Sequence, residues 1–338
     1  MNRHALILSL LTTVVAGCTT YAGPEEVEDS TGALVTAFYG TDRAREDVDD
    51  PDKFYNGQRG AVEYGITRVE LSPGSLRSRL VQLEPMAPEP FVRSLNQALR
   101  IAESPSVFVV IHGYNRSFSQ VARLTSEVSY RTGFRGVPVY WSWPSLRNPA
   151  TYVEDRNNMN WTRPNLSSFL ALLINDSDAE SIHLVCHSMG CKALVDSILY
   201  ELLPQGKEAS DFGELVLMAP DIDKAIFRRD LAPKLVEAGF KVSLYTAEND
   251  KALVSSRTVN GYPRAGDSSD GPVVVEEIET IDATDVNPSI LGHSYFEESA
   301  AVQADLAQLL NQNRRAADRS GLVAIDTFGK TYWKINAR

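Results

Sequence analysis

The residues best suited to chemistry lie in Ile182-His-Leu-Val-Cys-His-Ser188-Met-Gly190, an apolar run of β-forming residues that ends in a serine with small neighbours. The chain continues as Cys191-Lys-Ala-Leu-Val-Asp-Ser-Ile-Leu-Tyr200, whose apolar spacing reads as a helix. A serine hydroxyl is a weak nucleophile at neutral pH. It becomes effective when it is lifted clear of the backbone, set within reach of a base, and flanked by N–H donors where an oxyanion forms. A sharp strand-to-helix turn meets all three needs, and its tightness calls for small residues two positions before and two after the serine. Gly190 fits; Cys186 departs from the pattern by being modestly larger than the usual glycine.

A serine in such a turn takes its base from downstream, after an acid. The chain has five histidines. His4 belongs to an N-terminal leader, His112 to a turn, His183 to a strand, and His187 adjoins the serine on the opposite face of its turn. His293 remains, in Gly292-His293-Ser294-Tyr295-Phe296, between the last core strand and the last helix. The acid that orients it should stand at the C-terminal end of a neighbouring strand. Asp250, in Glu248-Asn249-Asp250-Lys251, takes that place. Asp221 and Asp223, in Ala219-Pro220-Asp221-Ile222-Asp223, are the alternatives, with helix capping as their other reading. Oxyanion donors are expected from the backbone N–H groups of Met189 and of Tyr114, the latter in His112-Gly113-Tyr114-Asn115, with the Asn115 side chain in support. No metal or organic cofactor is implied.

These residues need a scaffold. Apolar β-rich runs at 33–39, 63–70, 107–111, 137–141, 182–185, 214–218, 242–246 and 273–278 alternate with helical patterns at 91–103, 118–132, 166–173, 193–203 and 224–238. The central runs are continuously apolar, as strands buried on both faces of a parallel sheet must be. The alternation predicts an α/β fold, a mostly parallel sheet covered by helices on both faces. A last helix over 299–312 precedes a tail, 319–338, that alternates around Phe328-Gly329-Lys330 as a hairpin would. Phe118, Trp143, Tyr152, Trp161 and Phe296 are candidate pocket residues. Residues 143–165 are too few for a separate cap domain, so an open site is expected.

Composition narrows the function classes. A chain of 338 residues with 43% hydrophobic and 23% charged residues supports one sizeable core, and no repeat or P-loop is present. The formal net charge of −11, with no basic patch in sequence, argues against nucleic-acid binding. Arg3 and His4 precede an apolar run over 5–15 that ends in Val15-Ala16-Gly17-Cys18. The run reads as a secretory signal, too short to span a bilayer. Its end resembles the bacterial lipobox, which implies a diacylated Cys18 and a lipid-anchored mature protein. Thr19 after it implies the outer membrane, facing the periplasm. The expected organisation is a leader over 1–18, an acidic tether over 19–32, a catalytic domain over 33–318 and the tail. Cys186 and Cys191 are expected as free, buried thiols, because short separation and diverging directions disfavour a bridge. The glycosylation-type sequons at Asn115, Asn160, Asn165 and Asn175 read as chance matches.

Phe38-Tyr-Gly-Thr-Asp-Arg43, His112-Gly-Tyr-Asn115, Trp143-Pro-Ser145, His187-Ser-Met-Gly190, Ala219-Pro-Asp-Ile-Asp223, Asn249-Asp-Lys-Ala-Leu253 and Gly292-His-Ser-Tyr-Phe296 together resemble a bacterial α/β-hydrolase family of unassigned substrate, described as esterase or lipase-like. The resemblance runs over about residues 33–310 and implies the α/β-hydrolase fold with Ser188, Asp250 and His293 as a triad. It implies hydrolysis of a small-molecule or lipid ester through an acyl-enzyme, on a cell-envelope protein. Two other classes fit the same residues: a catalytically silent binding or scaffold protein, and a thioesterase, amidase or acyltransferase with the same triad.

Overall fold

Three long strands open the folded chain: β1 (Ala33–Arg45), β2 (Tyr55–Leu71) and β3 (Ser78–Met86) form an antiparallel meander. The computed structural model describes residues 32–72, 78–148, 150–286, 293, 295–327 and 329–336; the leader, Cys18 and the tether up to Thr31 lie outside them. Helix α1 (Pro88–Ile101) then leads to six short strands in an αβ alternation. These are β4 (Ser106–Ile111), β5 (Val137–Ser142), β6 (Ser181–His187), β7 (Glu214–Met218), β8 (Lys241–Thr246) and β9 (Ile278–Asp282). All six run parallel, and β1 lies parallel to β5. A C-terminal hairpin, β10 (Leu322–Thr327) and β11 (Lys330–Ile335), closes the far edge. It joins the sheet where Trp333 and Lys334 pair with Ile281 and Asp282 of β9. The tail is therefore continuous with the sheet.

Period-two burial explains the layers. In β4, Val107, Val109 and Ile111 face one core while Phe108 and Val110 face the other; Leu215 and Leu217 of β7 oppose Val216 and Met218 in the same way. The first core takes side chains from α1, α3 (Tyr152–Asp176), α4 (Met189–Ser197) and α6 (Ala232–Glu237), which follows the short α5 (Lys224–Ile226). The second takes them from α2 (Phe118–Arg131), α7 (Lys251–Asn260), α8 (Tyr295–Glu298) and α9 (Ala300–Gln312). Each fully buried Val, Leu, Ile or Phe contributes about 1.5–3 kcal/mol.

Strand order places the site. Across the sheet the strands run β10-β11-β9-β8-β7-β6-β4-β5-β1-β2-β3. The chain leaves β4 toward β5 on one side and leaves β6 toward β7 on the other, so their C-terminal ends open a crevice between diverging connections. Ligands of open α/β sheets bind at this kind of switch point. Ser188 follows β6 and His112-Gly113 follows β4.

Two expected elements move. The run 273–278 is not a strand: Val273 is buried, but Glu277 adopts φ 65°, and pairing with β8 begins only at Ile278. Pro272, which has no N–H to donate to a ladder, stands just before the run. Residues 152–165 are helical, and α3 starts at Tyr152 and carries Pro164 inside it.

Candidate active site

The backbone reverses direction at one residue. Ser188 adopts φ 52° and ψ −123°, a conformation that costs an L-residue about 1–3 kcal/mol, and three hydrogen bonds hold it there. Its N–H donates to Met218 O at 2.9 Å, and its carbonyl accepts from Cys191 N and Asp221 N, both at 3.1 Å. Glycines on both sides permit the packing. A Cβ on Gly190 would run into the carbonyl oxygens of Ile111 and His112, and one on Gly113 would sit 2.9 Å from Ser188 Cβ. As the first residue of α4, Met189 has an N–H with no acceptor inside its helix.

His293 meets this turn from the loop before α8. Its Nδ1 is 2.7 Å from Asp250 Oδ2, while Asp250 Oδ1 accepts the Leu253 N–H at 2.9 Å and so caps α7. Burial alone would depress the His293 pKa; the adjoining Asp250 carboxylate outweighs it, aided by Asp221 and Glu297, and the net shift is upward. His187, beside the serine, packs against the His293 ring with centroids 4.5 Å apart and the ring planes tilted by 43°. Burial, then the neighbouring His293, holds the His187 pKa well below its usual value, so it is neutral. Its Nε2–H donates to His293 O at 3.0 Å and supports the loop.

The rival carboxylates have other partners. Asp221 Oδ1 accepts from Arg264 Nε at 2.5 Å and Ser256 Oγ at 2.6 Å, and Oδ2 from Tyr152 OH at 2.7 Å. Asp223 caps α5 through Ile226 N at 2.9 Å.

The turn after β4 is fixed by buried polar groups. His112 Nδ1–H donates to Gly113 O at 2.7 Å, its Nε2 accepts Trp143 N at 3.1 Å, and its ring stacks on Trp143 at 4.8 Å. Burial and the Arg43 charge keep it neutral. Asn115, at φ 61°, donates its N–H to Ser145 Oγ at 2.9 Å, and that hydroxyl donates to Asp155 Oδ2 at 2.7 Å. Arg43 ties the surrounding loops together: its guanidinium donates to the carbonyls of Arg116 at 2.7 Å, Asn56 at 3.1 Å and Ser145 at 3.3 Å, and to Ser142 Oγ at 2.8 Å. Among the described residues no carboxylate lies within ion-pair distance of it. Burial lowers its pKa to about 9, against the pull of Asp42 and Asp155, so it stays charged at neutral pH. Arg116 in turn pairs with Glu297 and so bridges this turn to α8, just beyond His293.

Two expectations fail. Cys186 and Cys191 form a disulfide, with Cα atoms 4.9 Å apart. The reversal at Ser188 folds the first turn of α4 back beside the end of β6, and both side chains enter the same core. The pocket residues also differ. Phe118 packs on Tyr39 and Tyr55 in the core, Trp143 on His112, Phe296 is buried, and Trp161 lies under the Arg59 guanidinium at 5.3 Å. Tyr152 is the one of the five that lines the cavity of about 360 Å³ bordered by Met189. Arg43 and the second role of His187 were not foreseen; a buried arginine has no periodic signal, and proximity to Ser188 made His187 look incidental.

A mostly parallel sheet covered on both faces, with this turn at its switch point, defines an α/β hydrolase. The chain belongs to the family described as alpha/beta hydrolase of unknown function (DUF900), whose profile matches residues 88–314 and so spans Ser188, Asp250 and His293. No functionally curated protein matches its sequence. Among solved structures it is similar to a tributyrin-phosphonate-inhibited esterase B from Lactobacillus rhamnosis, with 12% identity, 82% of this chain and 85% of that chain covered, and a TM-score of 0.36. It is also similar to carboxyl esterase 2 from Tuber melanosporum, with 9% identity, 74% and 81% covered, and a TM-score of 0.36. A Pyrobaculum calidifontis esterase is similar at 13% identity, 74% and 81% covered, with a TM-score of 0.35.

The disulfide closes a loop of five-residue separation around the serine, which constrains the unfolded chain by about 2 kcal/mol. Cys186→Ala/Cys191→Ala should therefore lower the unfolding free energy by about 2 kcal/mol in urea titration, and reductant should lower wild type but not the variant. Identical curves for wild type with and without reductant would show that the bond adds no stability.

Proposed function

We propose that this α/β hydrolase is a serine carboxylic-ester hydrolase anchored to the bacterial cell envelope by lipid on Cys18. The observation that carries the chemistry is the His293–Asp250 pair, 2.7 Å apart, set against the residue preceding a left-handed Ser188. Asp250 holds the proton on Nδ1, which leaves Nε2 as the base. Ser188 Oγ attacks the ester carbonyl while His293 accepts its proton. The tetrahedral oxyanion receives hydrogen bonds from the N–H groups of Met189 and Tyr114, the second immobilised by the Arg43 and Asp155 networks. Collapse expels the alcohol, which takes the proton back from His293, and water then cleaves the acyl-enzyme by the same steps in reverse.

The envelope assignment rests on the leader and Cys18 and is supported by the disulfide, since such bonds persist in oxidising compartments. Among the described residues no helix is long and apolar enough to cross a membrane, so attachment in this reading falls to the lipid. The negative net charge speaks against nucleic-acid partners.

Wild type should be labelled covalently by a fluorophosphonate probe, and Ser188→Ala should not; an unlabelled, folded wild type would falsify the hydrolase chemistry. The pH dependence tests the acid. A base must be deprotonated to act, so kcat/KM should rise with pH through a midpoint above 6.5, the raised pKa of His293. Asp250→Asn removes the group that raises it. Turnover should fall by about 10⁴ and the midpoint should move below that of wild type. A fall of that size in Asp221→Asn beside a silent Asp250→Asn would transfer the role to the earlier strand. In a bacterial host the full-length chain should incorporate labelled fatty acid, and Cys18→Ser should not; equal incorporation would remove Cys18 as the anchor.

A further inference from the structure

The cavity of about 360 Å³ bordered by Met189 has a character that the overall composition does not suggest. Its floor includes Met189 and Ile222, both buried and apolar, and its walls carry Arg156, Lys192 and Arg264. Asp221 is saturated by Arg264, Ser256 and Tyr152, and Asp223 caps α5. Lys192, itself exposed, pairs with the buried Asp196 one turn along its own helix. Arg156 donates to the neutral Asn260 Oδ1 at 2.7 Å and, among the described residues, has no carboxylate partner. The lining thus sets Arg156, Lys192 and Arg264 beside Asp221 and Asp223, and of the three cations Arg156 is the one without a carboxylate partner among the described residues. The recess adjoins the proposed reaction centre from two sides. Met189 supplies one proposed oxyanion donor, and Tyr152, also in the lining, packs edge-on to Tyr114, which supplies the other, with centroids 5.6 Å apart.

We infer that the substrate is an ester carrying an anionic group, which Arg156 and Lys192 bind while its apolar stem lies over Met189 and Ile222. The inference rests on the esterase reading and deepens it. A guanidinium offers paired N–H donors that match a carboxylate or phosphate. Neutral esters of the same length lack this contact.

The test compares ethyl butyrate with monoethyl glutarate, which carries its carboxylate on the acyl side, and with the butyryl ester of glycolic acid, which carries it on the alcohol side. With the full chain in a pH-stat, kcat/KM for one of the two anionic esters should exceed that for ethyl butyrate by about tenfold, through KM. Arg156→Gln and Lys192→Gln should each reduce that ratio by about the same factor. Glutarate binding to Ser188→Ala, measured by calorimetry, reads the recess without turnover and should be lost in Ser188→Ala/Arg156→Gln. Hydrolysis of ethyl butyrate with no preference for either anionic ester overturns the inference and leaves the esterase reading intact. Hydrolysis of none of the three overturns the esterase reading, and glutarate binding then still decides whether the recess is an anion site. Absence of that binding overturns it.

Discussion

One residue out of the ordinary backbone range organises this molecule. Ser188 must turn the chain from β6 into α4 within a single position, and neither element alone would put it in a left-handed conformation. The cost is met by neighbours at the ends of two strands: Met218 of β7 accepts its N–H, Asp221 just after β7 donates to its carbonyl, and Gly113 after β4 lets the backbone approach. Strain of about 1–3 kcal/mol survives only where the surroundings over-determine it. The disulfide between Cys186 and Cys191 adds a covalent clasp across the same turn.

Buried polar groups do the corresponding work on the β4 side. Arg43 comes from the distant β1, yet its guanidinium collects backbone oxygens from the segments around Asn56, Arg116 and Ser145. Lysine, with a compact ammonium, could not span these acceptors with one planar fork. Taking such a cation out of water without a paired carboxylate is expensive unless several dipoles face it, and here four acceptors do. The Arg116–Glu297 pair carries the connection on to α8, so the turn after β4 and the start of α8 belong to one polar framework.

The parallel sheet was legible because its strands are continuously apolar, and the serine turn because its steric demands restrict the positions two before and two after the serine. His293 could be found by elimination among five histidines. What escaped the sequence has a common physical origin: it depends on side chains from remote segments meeting. The Cys186–Cys191 bond follows from how sharply Ser188 reverses the chain, which spacing alone understates. Val273 looked like strand because it is apolar and buried, but burial against a core needs no ladder pairing. Phe118 and Trp143 are pocket candidates because segments near them are expected to flank the serine, although aromatics more often fill cores.

Asp250 divides its two oxygens between tasks, one closing the first turn of α7 and the other aligning an imidazole. A single side chain is therefore answerable to two selective pressures that usually fall on separate positions. Glutamate would keep the charge, but with an extra methylene it could not keep both distances; serine would keep a cap and lose the charge. The consequence is mechanical: one carboxylate couples the start of α7 to the orientation of the His293 ring.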